Sequence, residues 1–194
     1  MKIAIFGGTF DPIHLGHVQG ALNIYEEFKL DKIYFVPAYI APLKDMAYAS
    51  INDRVNMVYL ATQDYDYFEV STYEIYNSRS NTYTYNTVNY FSEKFSEDEI
   101  YLIIGYDQYL QFDSWKNTDQ IFEKAKVIVV PRGDESGQDI SDDRFLFSKM
   151  QKIDISSTMI RSKIAKRKSF KDFLDKKVYD YIVERELYYD SDDL

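Results

Sequence analysis

Cysteine is absent from this chain of 194 residues, which also has only two histidines, one tryptophan, seven glycines and four prolines. Without cysteine, disulfide bonds and thiolate catalysis are excluded. No apolar run reaches the length of about 20 residues that a membrane-spanning helix needs, and no charged-then-apolar leader precedes the first predicted strand. We therefore expect a cytoplasmic protein without a membrane partner.

Basic residues are also fewer than acidic ones, 23 against 32, which gives a formal net charge of −9. A surface of that sign repels nucleic acid, so we expect no nucleic-acid partner, although a local basic pocket for phosphates is still allowed. A chain of this length forms one well-buried domain and is too short for two ordinary ones. We predict one domain over residues 1–188 and a short acidic tail over 189–194.

Short β-rich apolar runs alternate along the chain with segments of helical period. This pattern predicts the α/β class, with a single doubly wound, mostly parallel sheet and C-terminal helices. Strands are predicted at 2–6, 32–37, 68–70, 100–104, 126–130 and 145–148. Helices are predicted from the histidines onward and at 51–63, 83–95, 119–125, 156–166 and 173–185. In the first helix, the residues predicted to face the sheet are Leu15, Val18, Leu22, Tyr25 and Phe28.

Both histidines lie in one segment after the first predicted strand. It reads Gly7-Gly8-Thr9-Phe10-Asp11-Pro12-Ile13-His14-Leu15-Gly16-His17. A glycine pair between a buried strand and a helix start lets backbone N–H groups approach an anion at the positive end of the helix dipole. His14 and His17 lie one turn apart and can point the same way. The segment predicts a nucleotide phosphate site, although a plain helix entrance or half of a metal site with carboxylates would share the spacing.

A second segment near the C-terminus has the same chemical logic. It reads Ile155-Ser156-Ser157-Thr158-Met159-Ile160-Arg161. Ser156 is a good N-cap, so the following N–H groups open a helix toward an anion, and Arg161 adds a bidentate donor. These groups suit a departing pyrophosphate, although an ordinary capped helix with a surface arginine would look alike.

The two segments, in this order, resemble the histidine signature and the ISSTxIR motif of the HxGH nucleotidyltransferases, which join a nucleoside triphosphate to a phosphate-bearing acceptor. The resemblance implies a Rossmann-like nucleotidyltransferase fold, catalytic roles for His14, His17 and Arg161, and Mg²⁺ carried by ATP as co-substrate without a dedicated protein metal site. It implies ATP-binding roles for Gly7, Gly8, Thr9, Phe10, Gly105, Asp107, Ile155, Ser156, Ser157 and Thr158.

Four stretches, 36–44, 54–57, 81–88 and 103–132, narrow the resemblance to the nicotinate-nucleotide adenylyltransferases of NAD biosynthesis. It implies that the acceptor nucleotide is bound by Lys44, Tyr83, Thr84, Tyr106, Trp115 and Arg132. Trp115 offers a flat face on which a pyridine ring can stack, although a buried core anchor is the alternative. Leu43 stands where many members have histidine, and Tyr106 where a small residue is common, so the acceptor pocket is expected to differ in shape.

The expected reaction therefore joins the adenylyl group of ATP to nicotinate mononucleotide and releases pyrophosphate. The expected partners are these two small molecules, and the sequence leaves a homodimer open. The same chemistry on nicotinamide mononucleotide or phosphopantetheine is the nearest alternative, and a nucleotide-binding module without turnover is another. Aminoacyl-tRNA ligation is disfavoured by the small size and acidity of the chain.

Overall fold

The computed structural model of the chain describes residues 1–39, 47–77, 83–131 and 142–189. Lys44, Arg132 and Leu43 lie outside the described residues, as does the tail beyond Tyr189. The strands are β1 Lys2–Gly8, β2 Lys32–Pro37, β3 Phe68–Val70, β4 Glu99–Gly105, β5 Lys126–Val130 and β6 Phe145–Phe147. The α-helices are α1 Leu15–Phe28, α2 Ile51–Thr62, α3 Tyr73–Tyr76, α4 Thr84–Lys94, α5 Tyr106–Tyr109, α6 Thr118–Lys124, α7 Ser157–Ala165 and α8 Lys176–Glu184.

The six strands form one parallel sheet in the order β3-β2-β1-β4-β5-β6. The predicted doubly wound α/β fold is confirmed, and every strand pair is parallel where the prediction allowed exceptions. Strand order reverses between β1 and β4, which pair side by side. In open sheets of this kind, ligands bind beyond the carboxyl ends of the strands at such a reversal.

Alternate residues of each strand face two separate apolar clusters, as the two-residue repeat of a strand requires. One face packs against α1, α2, α7 and α8, with core residues that include Ala4, Phe35, Ile103, Val18, Met57 and Ile160. The other face packs against α4 and α6, with core residues that include Ile5, Val36, Leu102, Val88, Phe91 and Ile121. The sheet is thus covered by helices on both faces.

Local capping chemistry fixes several helix starts. Ser50 accepts the backbone N–H of Asp53 at 3.1 Å before α2, and Asp175 accepts that of Lys177 at 2.8 Å before α8. Each cap satisfies one of the N–H groups that a first helical turn leaves without an intrahelical partner.

None of the helices in the described ranges combines the length and the hydrophobicity that a membrane span requires.

The structure corrects some predicted boundaries. β1 and β4 continue through their glycines, so Gly7, Gly8 and Gly105 are the last residues of strands and not the turns that follow them. Glycine has a backbone N–H and C=O like any other residue, so it pairs in a ladder when its neighbours do. The last helix begins at Lys176 instead of 173, because a 3-10 turn over Lys171–Phe173 comes first.

The buried face of α1 also differs from the predicted one. Its fully buried residues are Val18, Gly20, Ala21 and Ile24, whereas Leu15 is 37% exposed. The other predicted contacts, Leu22, Tyr25 and Phe28, are partly buried at the edge of the same cluster. The buried stripe of α1 thus runs through Val18, Ala21 and Ile24 at a helical spacing of three residues, and Leu15 lies at its exposed end.

Candidate active site

The end of β1 offers an uncovered stretch of backbone at the point where strand order reverses. A methyl group added to Gly7 would meet nothing within 4 Å, so the space above this residue is open. A methyl group on Gly8 would lie 2.9 Å from the ring of Phe10. Gly7 therefore leaves room for a ligand, whereas Gly8 leaves room for the protein's own aromatic ring.

Phe10 follows the strand in the left-handed region, with φ of 48°, and its side chain is buried. The ring packs edge-on against Phe6, at a centroid distance of 5.6 Å, and edge-on against His17 at 5.2 Å. The predicted contact of Phe10 with ATP would accordingly come from its backbone. Its side chain packs against the ring of His17 and helps to fix the position of that ring.

The two histidines occupy the start of α1, with His14 at the N-cap position. Their rings are stacked, with centroids 3.7 Å apart and planes 26° apart. Nδ1 of His17 accepts the backbone N–H of His14 at 3.3 Å, so the proton of a neutral His17 ring lies on Nε2. A methyl group on Gly16 would lie 3.0 Å from Nδ1 of His14, which explains the glycine between the histidines.

The N-terminus of α7 lies directly against the histidine segment. Ser156 caps the helix by accepting the N–H of Met159 at 3.2 Å, as predicted. The Ser157 hydroxyl donates to the Pro12 carbonyl at 2.9 Å, and the added methyl on Gly16 would also meet Cβ of Ile155 at 3.3 Å. Two motifs separated by about 145 positions thus form one surface.

Arg161 is 5% exposed and lies beneath that surface. Its Nη1 donates to the carbonyl of Asp11 at 2.7 Å, and its Nη2 donates to Oγ1 of Thr158 at 3.3 Å. The guanidinium also lies 4.3 Å from the centroid of the Tyr48 ring, a cation–π distance. The structure gives Arg161 a supporting role that the sequence did not indicate, and its contact with pyrophosphate stays a prediction.

Asp11 is the centre of a buried network that sequence reasoning missed. Its carboxylate accepts the N–H groups of Tyr48 and Ala49, at 2.7 and 3.1 Å, and the hydroxyl of Tyr188 at 2.8 Å. Burial raises the pKa of Tyr188, and the nearby carboxylate of Asp11 raises it further. No sequence signal links residues 177 positions apart, so the contact was not predictable.

A second buried arginine holds the turn after β1. Arg54 is 1% exposed and donates through Nη1 to the Thr9 carbonyl at 2.6 Å. Burial lowers the pKa of its guanidinium, and the charge of Asp11 opposes that shift. The Thr9 carbonyl is thereby fixed by a charge-assisted hydrogen bond, while the predicted ATP contact of Thr9 stays a prediction.

At the neighbouring strand end, the short α5 follows Gly105 without an intervening turn. The Gln108 side chain folds back to the start of this helix, where it accepts the Gly105 N–H at 3.0 Å. Asp107 is exposed in this helix, whereas Tyr106 is partly buried against the second apolar cluster. The structure therefore places Gly105 and Asp107 at the β4 side of the strand reversal, as the sequence predicts.

A separate group of predicted residues forms what we call the acceptor side, made of the N-terminus of α4 and the segment around Trp115. Tyr83 is the N-cap of α4 and Thr84 its first residue. Lys116 donates to the Tyr83 hydroxyl at 2.8 Å and lies 4.3 Å from its ring centroid. Trp115 is half-buried, with its ring 5.0 Å from that of Phe112. The structure thus joins two predicted segments through Lys116, which sequence reasoning missed.

Fold and site together define a class of protein. A profile of the Cytidylyltransferase-like family matches residues 5–163, which include both histidines and Arg161. A solved Plasmodium falciparum nicotinic acid mononucleotide adenylyltransferase complexed with NaAD has the same fold, with a TM-score of 0.74 and 20% identity over 96% of this chain and 97% of that one. The predicted nucleotidyltransferase fold is confirmed.

Curated relatives narrow the class. A "Probable nicotinate-nucleotide adenylyltransferase" of Endomicrobium trichonymphae is 40% identical over 191 residues, 96% of this chain and 98% of that protein. One of the same name from Hydrogenobaculum sp. is 38% identical and covers 97% of this chain and 98% of its own length. This chain belongs to the nicotinate-nucleotide adenylyltransferase family.

Proposed function

We propose that this protein transfers the adenylyl group of ATP to nicotinate mononucleotide, giving nicotinate adenine dinucleotide and pyrophosphate. The observation that carries the proposal is the stacked His14–His17 pair beside the open backbone of Gly7 at the strand reversal. The curated family at about 40% identity over nearly the whole chain supports the same reaction.

In the proposed step, a phosphate oxygen of the acceptor attacks the α-phosphorus of ATP. The new phosphorus–oxygen bond forms as the bond to the bridging oxygen breaks, and pyrophosphate leaves on the opposite side. The acceptor phosphate is already ionised, so no general base is needed and positioning and charge stabilisation supply the catalysis. Nε2 of His17 is the ring donor, and we assign to it and to His14 hydrogen bonds to phosphoryl oxygens that gain charge during transfer.

Pyrophosphate is assigned to the first turn of α7, where Ser157 and Thr158 carry N–H groups at the positive end of the helix. Magnesium would be carried by the triphosphate, where it neutralises phosphate charge. The described residues contain no group of three metal-ligating side chains, and the Asp11 carboxylate already accepts three hydrogen bonds. We propose that this ion is held mainly by substrate oxygens and water.

We assign nicotinate mononucleotide to the acceptor side, between the N-terminus of α4 and the segment around Trp115. A carboxylate of the pyridine ring would meet backbone N–H groups near Tyr83 and Thr84, at the start of α4, and near Tyr106. The half-buried Trp115 keeps part of its ring available for stacking. Lys44 and Arg132 are proposed as further contacts of the acceptor nucleotide.

The first experiment incubates the protein with Mg-ATP and, separately, nicotinate mononucleotide, nicotinamide mononucleotide and phosphopantetheine, and measures pyrophosphate and the adenylylated product. A strong preference for nicotinate mononucleotide is expected. Preference for another acceptor would leave the roles assigned to the histidines and to α7 intact and would overturn the acceptor-side assignment. Absence of product from all three would overturn the proposed reaction.

A further inference from the structure

Glu74 is a buried carboxyl group that the proposed mechanism does not use. It lies in the short helix α3, where it is 8% exposed. Its carboxylate accepts the hydroxyl of Thr87 at 2.7 Å and the backbone N–H of Tyr39. These donors come from two different segments, the first turns of α4 and the chain after β2.

The two segments belong to opposite sides of the site. Tyr39 follows Ala38, whose N–H donates to the carbonyl of Gly8 at 2.8 Å, so this stretch is tied to the end of β1. Thr87 is one turn beyond Thr84, the first residue of α4. Glu74 therefore joins the end of β1 to α4, the helix whose N-terminus forms the acceptor side.

We propose that Glu74 is a positioning residue of the acceptor subsite, which holds the first turn of α4 at its distance from β1. The inference rests on the proposed function, because it concerns binding of nicotinate mononucleotide at that helix end. A second contact agrees with this role, since the ring of Tyr73 on α3 stacks on Tyr90 of α4 at 4.0 Å. With both contacts, α3 acts as a spacer between the two segments.

The protonated form of Glu74 holds the two segments together more firmly, because a buried carboxylate loses more through desolvation than its two hydrogen bonds return. Burial raises the pKa of Glu74 to about 7, against the opposing effect of the two hydrogen bonds. The groups that face it are the Thr87 hydroxyl from α4 and the Tyr39 N–H from the chain after β2. The other ionisable residues on α3 are Tyr76, which is exposed, and Tyr73, whose pKa is raised by burial and by the charges of Tyr90 and Glu74.

The test compares Glu74→Gln, Thr87→Val and Thr87→Ser with wild type, and uses Glu93→Gln, an exposed glutamate on α4, as the matched control. Loss of one hydrogen bond is expected to raise the KM for nicotinate mononucleotide roughly threefold to tenfold in the first two variants. The KM for ATP and kcat should stay within about twofold of wild type, and Thr87→Ser and Glu93→Gln should behave like wild type.

The pH profile separates positioning from a general loss of fold. The ratio of the acceptor KM of Glu74→Gln to that of wild type should fall from about pH 6 to about pH 8, because only wild type carries a group whose ionisation weakens this contact. Ionisation of the substrate phosphate, and of any group that both proteins share, cancels in this ratio. A constant ratio, or equal increases in the two KM values, would overturn the proposal.

Hydrogen exchange provides a readout that does not need turnover. The amides of residues 84–88 should exchange faster in Glu74→Gln and Thr87→Val than in wild type, Thr87→Ser and Glu93→Gln. Unchanged exchange would overturn the positioning role. If wild type shows no product with any acceptor while the exchange pattern appears, the proposed function fails but the clamp on α4 stands.

Discussion

Two parts of this molecule are built by different means: the phosphate side, formed by residues 7–17 and 155–161, and the acceptor side. On the phosphate side, Asp11, Arg54, Arg161 and Tyr188 are all nearly fully buried and join segments from both ends of the chain. On the acceptor side, Tyr83 is linked to Lys116 by a hydrogen bond that is open to solvent. A solvent-exposed polar contact of this kind adds little to stability.

The difference indicates a division of labour. Charge stabilisation of a transferring group requires donors fixed before the reaction, and buried networks provide that fixation. An acceptor pocket distinguishes molecules by shape, and lightly held surface segments can change without disturbing the chemistry. Glu74 is the exception, because it and its partner Thr87 are buried beside an acceptor side that is otherwise partly exposed.

The largest effect is expected at the phosphate side. His17→Ala should lower kcat by roughly 100-fold to 1,000-fold, because it removes a donor to the oxygens that gain charge. The ring also stacks on His14 and packs edge-on against Phe10, so a small loss of thermal stability is expected as well. Steady-state kinetics and thermal unfolding measure the two effects separately. Near-normal turnover in a folded variant would contradict the phosphate-stabilising role.

The phosphate side was also the more predictable one, but only for residues near one another in sequence. The histidine spacing, the Ser156 cap and the strand reversal beside β1 all follow from local patterns. The Tyr188–Asp11 contact does not, since hydrogen bonds between distant segments leave no periodic signal. Arg161 was predicted from its motif, yet its burial beneath the histidine segment depends on how α7 packs.

The acceptor side was predictable mainly as a set of separate segments. Tyr83 and Trp115 were both assigned to it, but nothing in the sequence indicates that Lys116 joins them. The role of Glu74 was missed for the same reason, because its partner Thr87 is on another helix. Whether a single glutamate is buried depends on tertiary packing, which the composition of the chain does not reveal.

The next effect concerns the contribution of Glu74, the buried residue that links α3 to α4, to the stability of the fold. The folded pKa of Glu74 is about 7 and its ordinary value is 4.5, so its contribution to stability is present below the ordinary value and is lost as pH rises toward 7. Between about pH 4.5 and about pH 7, wild type should lose roughly 3 kcal/mol of unfolding free energy relative to Glu74→Gln. Urea unfolding at several pH values measures this difference. A difference independent of pH would contradict the burial argument, and Glu93→Gln should show none.

A smaller effect is expected from a methyl group placed at the open end of β1. Gly7→Ala should leave stability nearly unchanged, because the added atom meets no protein neighbour. It should lower kcat/KM for ATP by roughly tenfold to 100-fold, because the methyl occupies space needed by the substrate. Gly16→Ala is the informative counterpart, since its methyl would push against the His14 ring and should lower kcat. Full activity in Gly7→Ala would show that ATP binds elsewhere.

Among the residues assigned to direct substrate contact, the smallest change in kinetics is expected at Trp115, which tests the acceptor side separately from the phosphate side. Trp115→Ala should raise the KM for nicotinate mononucleotide about tenfold through loss of ring stacking, with little change in the KM for ATP. Trp115→Phe keeps an aromatic face and should recover much of the loss. Thermal unfolding is the control, because one face of the tryptophan packs on Phe112. Equal increases in both KM values with a fall in stability would assign Trp115 to the core, and the acceptor side would then rest on the start of α4 alone.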